Sequence, residues 1–481
     1  MKISDIIYKE EIILAGLDLN LEFERLTVDA TDLTERDILI ITNSLRLPNI
    51  DEDKAPLAVI CDENTALPRD IPTIRVKNPR IALANTFFRY EKIDLTNVKL
   101  IGITGTNGKG GTAEFIRAVL KESGYKVGLI GTGKIEIDGR IISDEFYSMT
   151  TPDPPLLYRT LKEMISEGCD VIIMEVSSHA LALDKLHPLK FDYAVFTNLS
   201  REHLDFHSDM ESYFRAKSKL FNMSKCSVFN IDDEYGRRAY RSCQRKRISA
   251  GILWQGDVWA NNIENHGLDG ISYIYHKDTF SFRMKLSIAG IYNAYNSMLA
   301  ATVCIDMGCR PCEVKRILSE IKGLPGRFEI INDRISVIID YAHTDVAFKS
   351  VMKELSAIKG DRCLTVIFGC GGNRDKEKRH RMAKIAERYA DRVIVTSDNS
   401  RNEDIKDIIS DIIRGFESGK YQVIENRRDA IRAAILSSND RDIIAVIGKG
   451  NEKYYIDQTG YHPYDEKEII ETALMERRTI S

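Results

Sequence analysis

The 481-residue chain predicts an α/β protein built on parallel sheets. Three observations carry this expectation. A strand, a glycine-rich turn and a helix follow one another over residues 98–123. Short apolar runs alternate with helical stretches, which is the pattern of crossover connections. Hydrophobic residues make up 43% and charged residues 29%, a globular balance in a chain long enough for several cores.

Residues 1–97 have apolar runs at 38–42, 57–61 and 73–76 between polar turns, and a helix is predicted over 79–90. This block reads as a small α/β unit. Residues 98–326 have apolar strands at 100–103, 126–130, 171–175 and 193–197, separated by helical segments. Ligands bind at the carboxyl ends of such strands, where the turn at 105–111, Glu175 and Thr197-Asn198 stand. Residues 327–481 repeat the pattern, with strands at 336–340, 363–368, 392–396 and 443–447, and predict a second doubly wound domain.

The turn reads Gly105-Thr106-Asn107-Gly108-Lys109-Gly110-Gly111-Thr112. Its glycines let backbone N–H groups converge on an anion, the following helix adds its positive end, and Lys109 adds a full charge. A helix is predicted from about Thr112 to Ser123. A P-loop normally places a hydroxyl directly after the lysine to hold magnesium. Here Gly110 and Gly111 intervene. Either Thr112 reaches the metal from the next turn, or water and carboxylates serve.

Net charge of −4 argues against bulk nucleic-acid binding. No apolar run approaches a membrane span, and the first residues lack a basic start and apolar core, so a cytoplasmic protein without a membrane partner is expected. Nine cysteines are scattered, with Cys309 and Cys312 as a lone CxxC, and reduced structural thiols are expected. Glutamine occurs only at 244, 255, 422 and 458 amid abundant charge, a thermophile-like balance. Glu175 ends an apolar strand, where an oxygen ligand suits magnesium. His203 and His207 are four apart, a spacing that would suit zinc on a helix, but no HExxH pattern accompanies them.

Together these strings resemble the Mur ligase family, the ATP-dependent amide ligases of cell-wall peptide assembly, and most closely its MurE type. The resemblance rests on Gly105 to Lys109, Met149 to Asp153, Glu175 to His179, Thr197 to Asp205 and Asn230 to Glu234. It continues through Gly326 to Glu329, Asp340 to Thr344, Phe368 to Asp375, Asp398 to Arg401 and Gly448 to Glu452. It covers roughly residues 98–481. It implies the three-domain Mur ligase architecture: a UDP-substrate-binding domain over 1–97, a central P-loop domain over 98–326, and a Rossmann-like amino-acid-binding domain over 327–481.

The resemblance also implies roles. Gly105, Thr106, Asn107, Gly108, Lys109, Gly110, Gly111 and Thr112 would hold the ATP phosphates. Asn293 and Asn296 would contact adenine, or else cap a helix. Arg327 and Asp340 would complete the nucleotide site. Glu175 and His203 would bind magnesium, two ions being expected. Lys217 stands where the family has a lysine carbamylated by CO2, a reading set against an ordinary surface lysine. Thr150, Thr151, Ser177 and Lys185 would hold a UDP-linked peptide precursor. Arg374, Asp398, Asn399, Arg401, Gly448 and Glu452 would hold a zwitterionic amino acid. The implied reaction makes an acyl phosphate and ADP, and an amine then attacks the acyl carbon. A monomer is expected.

Some positions depart from the MurE pattern. Ser400 replaces a proline, Asn451 a histidine, Asp345 a proline and Lys185 an arginine. The first block reads Val28-Asp29-Ala30-Thr31-Asp32 where an Asp-Ser-Arg string is usual. The divergent first block, the Gly110-Gly111 pair and the thermophile-like composition together resemble the archaeal pseudomurein peptide ligases more than bacterial MurE. Folylpolyglutamate synthase is a further relative by its turn, but the strings at 398–401 and 448–452 weigh against it. Outside enzymes, the rival is a nucleotide-binding regulatory module without turnover.

Overall fold

A computed structural model describes the chain except residues 44–49, 51–54, 68–70, 144–149, 205 and 481. Met149 and Asp205, which belong to two of the strings above, lie outside the described residues. The chain divides into two compact units. One comprises Met1–Thr104, Tyr125–Ala194 and Arg215–Lys225, and the other Gly105–Gly124, Val195–Phe214 and Cys226–Ser481.

The first unit opens with a five-stranded sheet in the order Ile12–Ala15, Thr73–Val76, Ala58–Cys61, Asp37–Ile40, Arg25–Thr27. All neighbours are parallel except Ile12–Ala15 at the edge. Ala58–Cys61 is buried along its length, as expected of a central parallel strand with both faces covered. The helix Pro79–Tyr90 starts where local chemistry says it should. Asn78 accepts the N–H groups of Arg80 and Ile81 at 3.0 and 3.2 Å, and Pro79 occupies the first turn. A second group of strands runs in the order Lys99–Thr104, Val171–Glu175, Val127–Gly131, Lys134–Ile137, Arg140–Ser143. The first three are parallel, and the last two continue as antiparallel hairpins.

In the second unit, Ser224–Asn230, Lys246–Gly251 and Val258–Asn265 are parallel, followed by antiparallel Ile271–Lys277 and Phe280–Leu286. A six-stranded sheet has the order Glu329–Asn332, Ser336–Asp340, Ile443–Ile447, Leu364–Phe368, Arg392–Val395, Gln422–Val423, all parallel except the first pair. Alternation along Ser336–Asp340 divides the core. Ile338 packs with Phe348, Met352 and Met382 on one face, while Val337 and Ile339 pack with Ile431, Ile435 and Ile470 on the other. This is the doubly wound arrangement expected of residues 327–481.

The strands at 73–76, 171–175, 336–340 and 443–447 and the helix at 79–90 fall where the sequence places them. The antiparallel strands at 134–143 and 271–286 are not among those the sequence predicts. Their apolar residues alternate with polar ones, as in Phe280, Phe282, Met284 and Leu286, so they lack the continuous apolar runs that mark the parallel strands. Among the described residues no helix is long and apolar enough to cross a membrane.

Candidate active site

The helix after the glycine turn begins at Lys109, three residues earlier than expected, because Gly108 takes φ +85° and starts it. A Cβ on Gly108 would meet the Asn296 Oδ1 at 2.6 Å, and one on Gly105 would stand 1.8 Å from the Thr197 Oγ1. These positions therefore require glycine, and the turn is a closed cradle rather than a loose connection. The Asn107 carbonyl accepts hydrogen bonds from the Thr197 hydroxyl at 2.6 Å and the Asn198 Nδ2 at 3.0 Å. Asn107 N–H donates to the Asn198 Oδ1 at 3.0 Å, and Thr106 N–H to the Asn198 carbonyl at 2.9 Å. The Lys109 Nζ folds over the turn and donates to the carbonyls of Gly105 and Thr106 at 3.0 and 2.9 Å. A cation, converging backbone N–H groups and a helix start fit a nucleotide polyphosphate.

Asn296 lies in the helix Ile291–Asp306 beside this cradle, and its Oδ1 accepts the Thr112 hydroxyl at 3.4 Å. Thr112 is fully buried, so its hydroxyl supports the turn from behind. The Asn293 Nδ2 donates to the Ala289 carbonyl at 2.7 Å and steadies the helix start. Asp340 accepts the N–H groups of Phe328 and Ala342 at 2.7 and 2.8 Å. Burial raises its pKa, outweighing the nearby Arg327 charge. The Arg327 guanidinium lies 4.5 Å from the centre of the Tyr341 ring.

Glu202 is the acidic centre that sequence reasoning left without a role. Its carboxylate lies 3.2 Å from the His343 Nε2 and 3.6 Å from the His203 Nε2. Burial works against its charge, but His343, His203 and Lys109 outweigh it and hold the carboxyl well below the usual carboxylate range. Thr344 Oγ1 lies 3.5 Å from the Asn107 Oδ1. The strings at 105–109, 197–203 and 340–344 thus converge. One sequence gives no pairing between distant strings, so the only available signal was that each ends a predicted strand. His203 has φ +56° in a turn, not a helix, so the helical zinc spacing with His207 does not exist. His207 instead stacks on Tyr213 at 4.9 Å.

A second cluster gathers Asp398, Asn399, Arg401, Gly448, Lys449 and Glu452. Asn399 Nδ2 donates to the Glu452 Oε2 at 3.0 Å, and the buried Lys449 Nζ donates to the Asn399 Oδ1 at 2.9 Å and the Glu452 Oε2 at 3.2 Å. Lys449 stands inside the string at 448–452, and the resemblance implies no role for it. Asp398 is held below its ordinary pKa: burial opposes its charge, and Lys449 and Arg427 outweigh burial. The Arg401 Nη1 donates to the carbonyls of Gly372 and Asn399 at 3.1 and 3.3 Å. Burial lowers the Arg401 pKa, and the Arg374 charge lowers it further. Two guanidinium groups near two carboxylates offer both halves of a zwitterion. Ser400 is buried, and its carbonyl accepts Glu403 N–H at 3.1 Å.

The first unit holds the other expected residues. Glu175 accepts Thr132 N–H at 3.1 Å, and a Cβ on Gly131 would stand 2.7 Å from its Oε1. Thr132 and Thr150 share a hydroxyl hydrogen bond of 3.1 Å. Thr151 donates to the Glu175 carbonyl at 2.9 Å and accepts Ser177 N–H at 2.9 Å. Glu175, Thr150, Thr151 and Ser177 therefore form one oxygen-rich group. Lys217 is not a surface lysine: it is 1% exposed, with its Nζ 3.4 Å from the Thr104 Oγ1. Lys185 is also buried and pairs with Asp153 at 2.6 Å. Among the described residues no three His, Cys, Asp or Glu side chains converge on one metal position.

Known proteins resemble this chain over most of its length. Residues 103–304 match the Mur ligase middle domain, and residues 326–450 match the Mur ligase glutamate ligase domain. A UDP-N-acetylmuramoyl-L-alanyl-D-glutamate–2,6-diaminopimelate ligase of Clostridium acetobutylicum is 34% identical over 99% of this chain and 100% of its own. A solved ligase of the same description is 25% identical, covers 99% of both chains and has a TM-score of 0.68. A pseudomurein peptide ligase type C from Methanothermus fervidus is 19% identical over 86% of both chains, with a TM-score of 0.60, which is a likeness of fold alone. The expectation that favoured the archaeal ligases is therefore unsupported, and the findings favour the bacterial MurE alternative. That expectation rested on the divergent first block, the Gly110-Gly111 pair and the composition, which identity over 99% of the chain outweighs.

Proposed function

The chain belongs to the Mur ligase family of ATP-dependent amide ligases, and from that premise we propose that it joins a diamino acid of the 2,6-diaminopimelate kind to a UDP-linked N-acetylmuramoyl dipeptide. The observation that carries the substrate half is the cluster at 398–452. Arg374 and Arg401 offer a forked carboxylate partner, and Asp398 and Glu452 offer partners for an ammonium.

In this reading the donor carboxylate attacks the γ-phosphoryl group of ATP, and an acyl phosphate and ADP form. Lys109 and the N–H groups of the turn bind the transferring oxygens and offset their growing charge. Magnesium, where bound, neutralises phosphate oxygens. Glu175, His203 and, as a carbamate, Lys217 are the proposed residues for it. The Glu175 carboxylate is already oriented by Thr132, and Glu202 steadies the His203 imidazole. Thr150, Thr151 and Ser177 position the donor peptide. The amine of the amino acid then attacks the acyl carbon and phosphate leaves. The proposed domain boundaries remain near residues 97 and 326, and the proposed state is a monomer in the cytoplasm.

The test is mass spectrometry of a UDP-N-acetylmuramoyl-L-alanyl-D-glutamate donor incubated with enzyme, ATP, magnesium and a pool of amino acids. A mass gain equal to one diaminopimelate, with ADP released in step, supports the proposal. ADP release only with a UDP-linked peptide of the pseudomurein kind overturns it and restores the archaeal reading.

A further inference from the structure

The helix Glu234–Ser242 and the start of the strand Lys246–Gly251 concentrate positive charge. Residues 234–247 hold six cations (Arg237, Arg238, Arg241, Arg245, Lys246 and Arg247) and one acid, Glu234, in a chain whose net charge is −4. Gly236, Ala239 and Cys243 form the buried side of this stretch, and Arg238 and Arg241 stand on its exposed side. With Arg237, Glu234, Tyr235 and Ser242 they line a surface cavity of about 520 Å³. Two of the cations are balanced: Arg238 pairs with Glu211 at 2.5 Å and Lys246 with Asp306 at 2.8 Å. Arg247 donates to the carbonyls of Tyr240 and Cys243 at 2.8 and 2.7 Å. Arg241 and Arg245 are exposed, and among the described residues their guanidinium groups have no ion-pair partner.

The loop after this strand adds an apolar half. Leu253 is 77% exposed and Trp254 58%. The loop is tightly fixed. The N–H groups of Ile252, Leu253 and Trp254 all donate to the Asp232 carboxylate, at 2.7, 2.8 and 2.9 Å. The Tyr295 hydroxyl donates to the same carboxylate at 2.8 Å. Arg237 is anchored to the carbonyls of Ile231 and Asp232 at 2.6 and 3.2 Å, and its guanidinium lies 5.6 Å from the centre of the Trp254 ring. Arg241 follows one helical turn beyond Arg237 on the same face. An indole and a leucine are thus held beside a row of guanidinium groups, and a contact there has little further backbone ordering to pay for.

We propose that this face lies against an anionic lipid surface, with Leu253 and Trp254 in the headgroup layer and Arg237, Arg241 and Arg245 on lipid phosphates. Charge complementarity selects the partner: the unpaired cations attract an anionic surface, and guanidinium groups match phosphate oxygens. The apolar pair selects lipid over a soluble anion, since a free phosphate would leave the leucine and the indole in water. Tryptophan also suits the boundary between water and hydrocarbon, being apolar with one polar edge. A stable protein partner would need about 800 Å² of matched surface, whereas a lipid layer takes up two side chains and a row of charges. The lack of a membrane-spanning helix among the described residues bears on crossing a bilayer, not on lying against one.

The test is co-sedimentation of the full chain with vesicles of equimolar phosphatidylglycerol and phosphatidylcholine, and with phosphatidylcholine vesicles alone. The chain has two tryptophans, so Trp259→Phe leaves Trp254 as the sole tryptophan emitter, and its emission is followed in parallel. Binding to the anionic vesicles only, weakened by salt and accompanied by a blue shift of Trp254, supports the proposal. Removing both unpaired charges, in Arg241→Ser with Arg245→Ser, weakens partition about thirty-fold, at about five-fold for each cation. Leu253→Ser with Trp254→Ser also abolishes sedimentation while the urea midpoint stays unchanged, which separates lost contact from lost folding. No sedimentation with either vesicle overturns the proposal. So does equal binding to both, sedimentation without a blue shift, or full sedimentation in either double variant. A blue shift produced by glycerol 3-phosphate without vesicle binding overturns it in favour of a soluble anion.

Discussion

Glu403 and Arg379 offer a measurable link between acid stability and the amino-acid cluster. Arg379 is completely buried and donates to both oxygens of Glu403 at 2.8 Å and to Asp411 at 2.9 Å. Glu403 also accepts Asn373 N–H at 3.0 Å, and Asn373 Oδ1 accepts Asn402 N–H at 3.1 Å. The pair therefore ties the string carrying Arg374 to the string carrying Arg401. Its Arg379 hydrogen bonds, working against burial, hold the Glu403 carboxyl down from 4.5 to about 2. That displacement is worth about 3 kcal/mol, at about 1.4 kcal/mol per tenfold change in proton affinity. The folded-state pKa is depressed, so the stabilisation is complete above the unfolded value near 4.5 and is lost as pH falls towards 2. Glu403→Gln should therefore lose about 3 kcal/mol at pH 7, and the gap to the native chain should shrink to roughly half by pH 3. Urea denaturation of both proteins across pH 3–7, with KM for the amino acid measured in parallel, is the assay. A gap equal at pH 3 and pH 7 would falsify the assignment of this carboxylate.

Three further outcomes are expected. Lys217→Ala should abolish ligation while ADP binding persists, and short carboxylic acids should restore part of the turnover; full activity in the variant would remove the carbamate proposal. Arg401→Lys should raise KM for the amino acid about tenfold or more, since Lys loses the fork, and should leave KM for ATP unchanged; equal effects on both would show a merely structural role. Gly105→Ala should eliminate calorimetric ADP binding, because its Cβ would stand 1.8 Å from the Thr197 hydroxyl; retained binding would mean that the cradle yields.

Much of this protein was legible in one dimension. Buried parallel strands are continuous apolar runs, so the strands at 171–175, 336–340 and 443–447 declare themselves, and the ligands they carry stand at predictable ends. The phosphate turn is equally local: its glycines, its lysine and its helix lie within one short stretch. Lys217 shows where reading along the chain stops. Its helical neighbours made a surface lysine an open alternative, and burial to 1% settled that question only after the chain had folded.

The sequence by itself determined the fold class and the family, because both rest on periodicity and on short strings whose chemistry is complete within a few residues. Tertiary structure alone decided which distant groups share one electrostatic environment. Glu202 meets His343 across more than a hundred residues, Glu403 neutralises Arg379, and Asp232 fixes the Trp254 loop. The reason is physical: a charge is tuned by what lies within a few ångströms and by how much water is excluded, and neither quantity is encoded along the chain until packing brings the strands together.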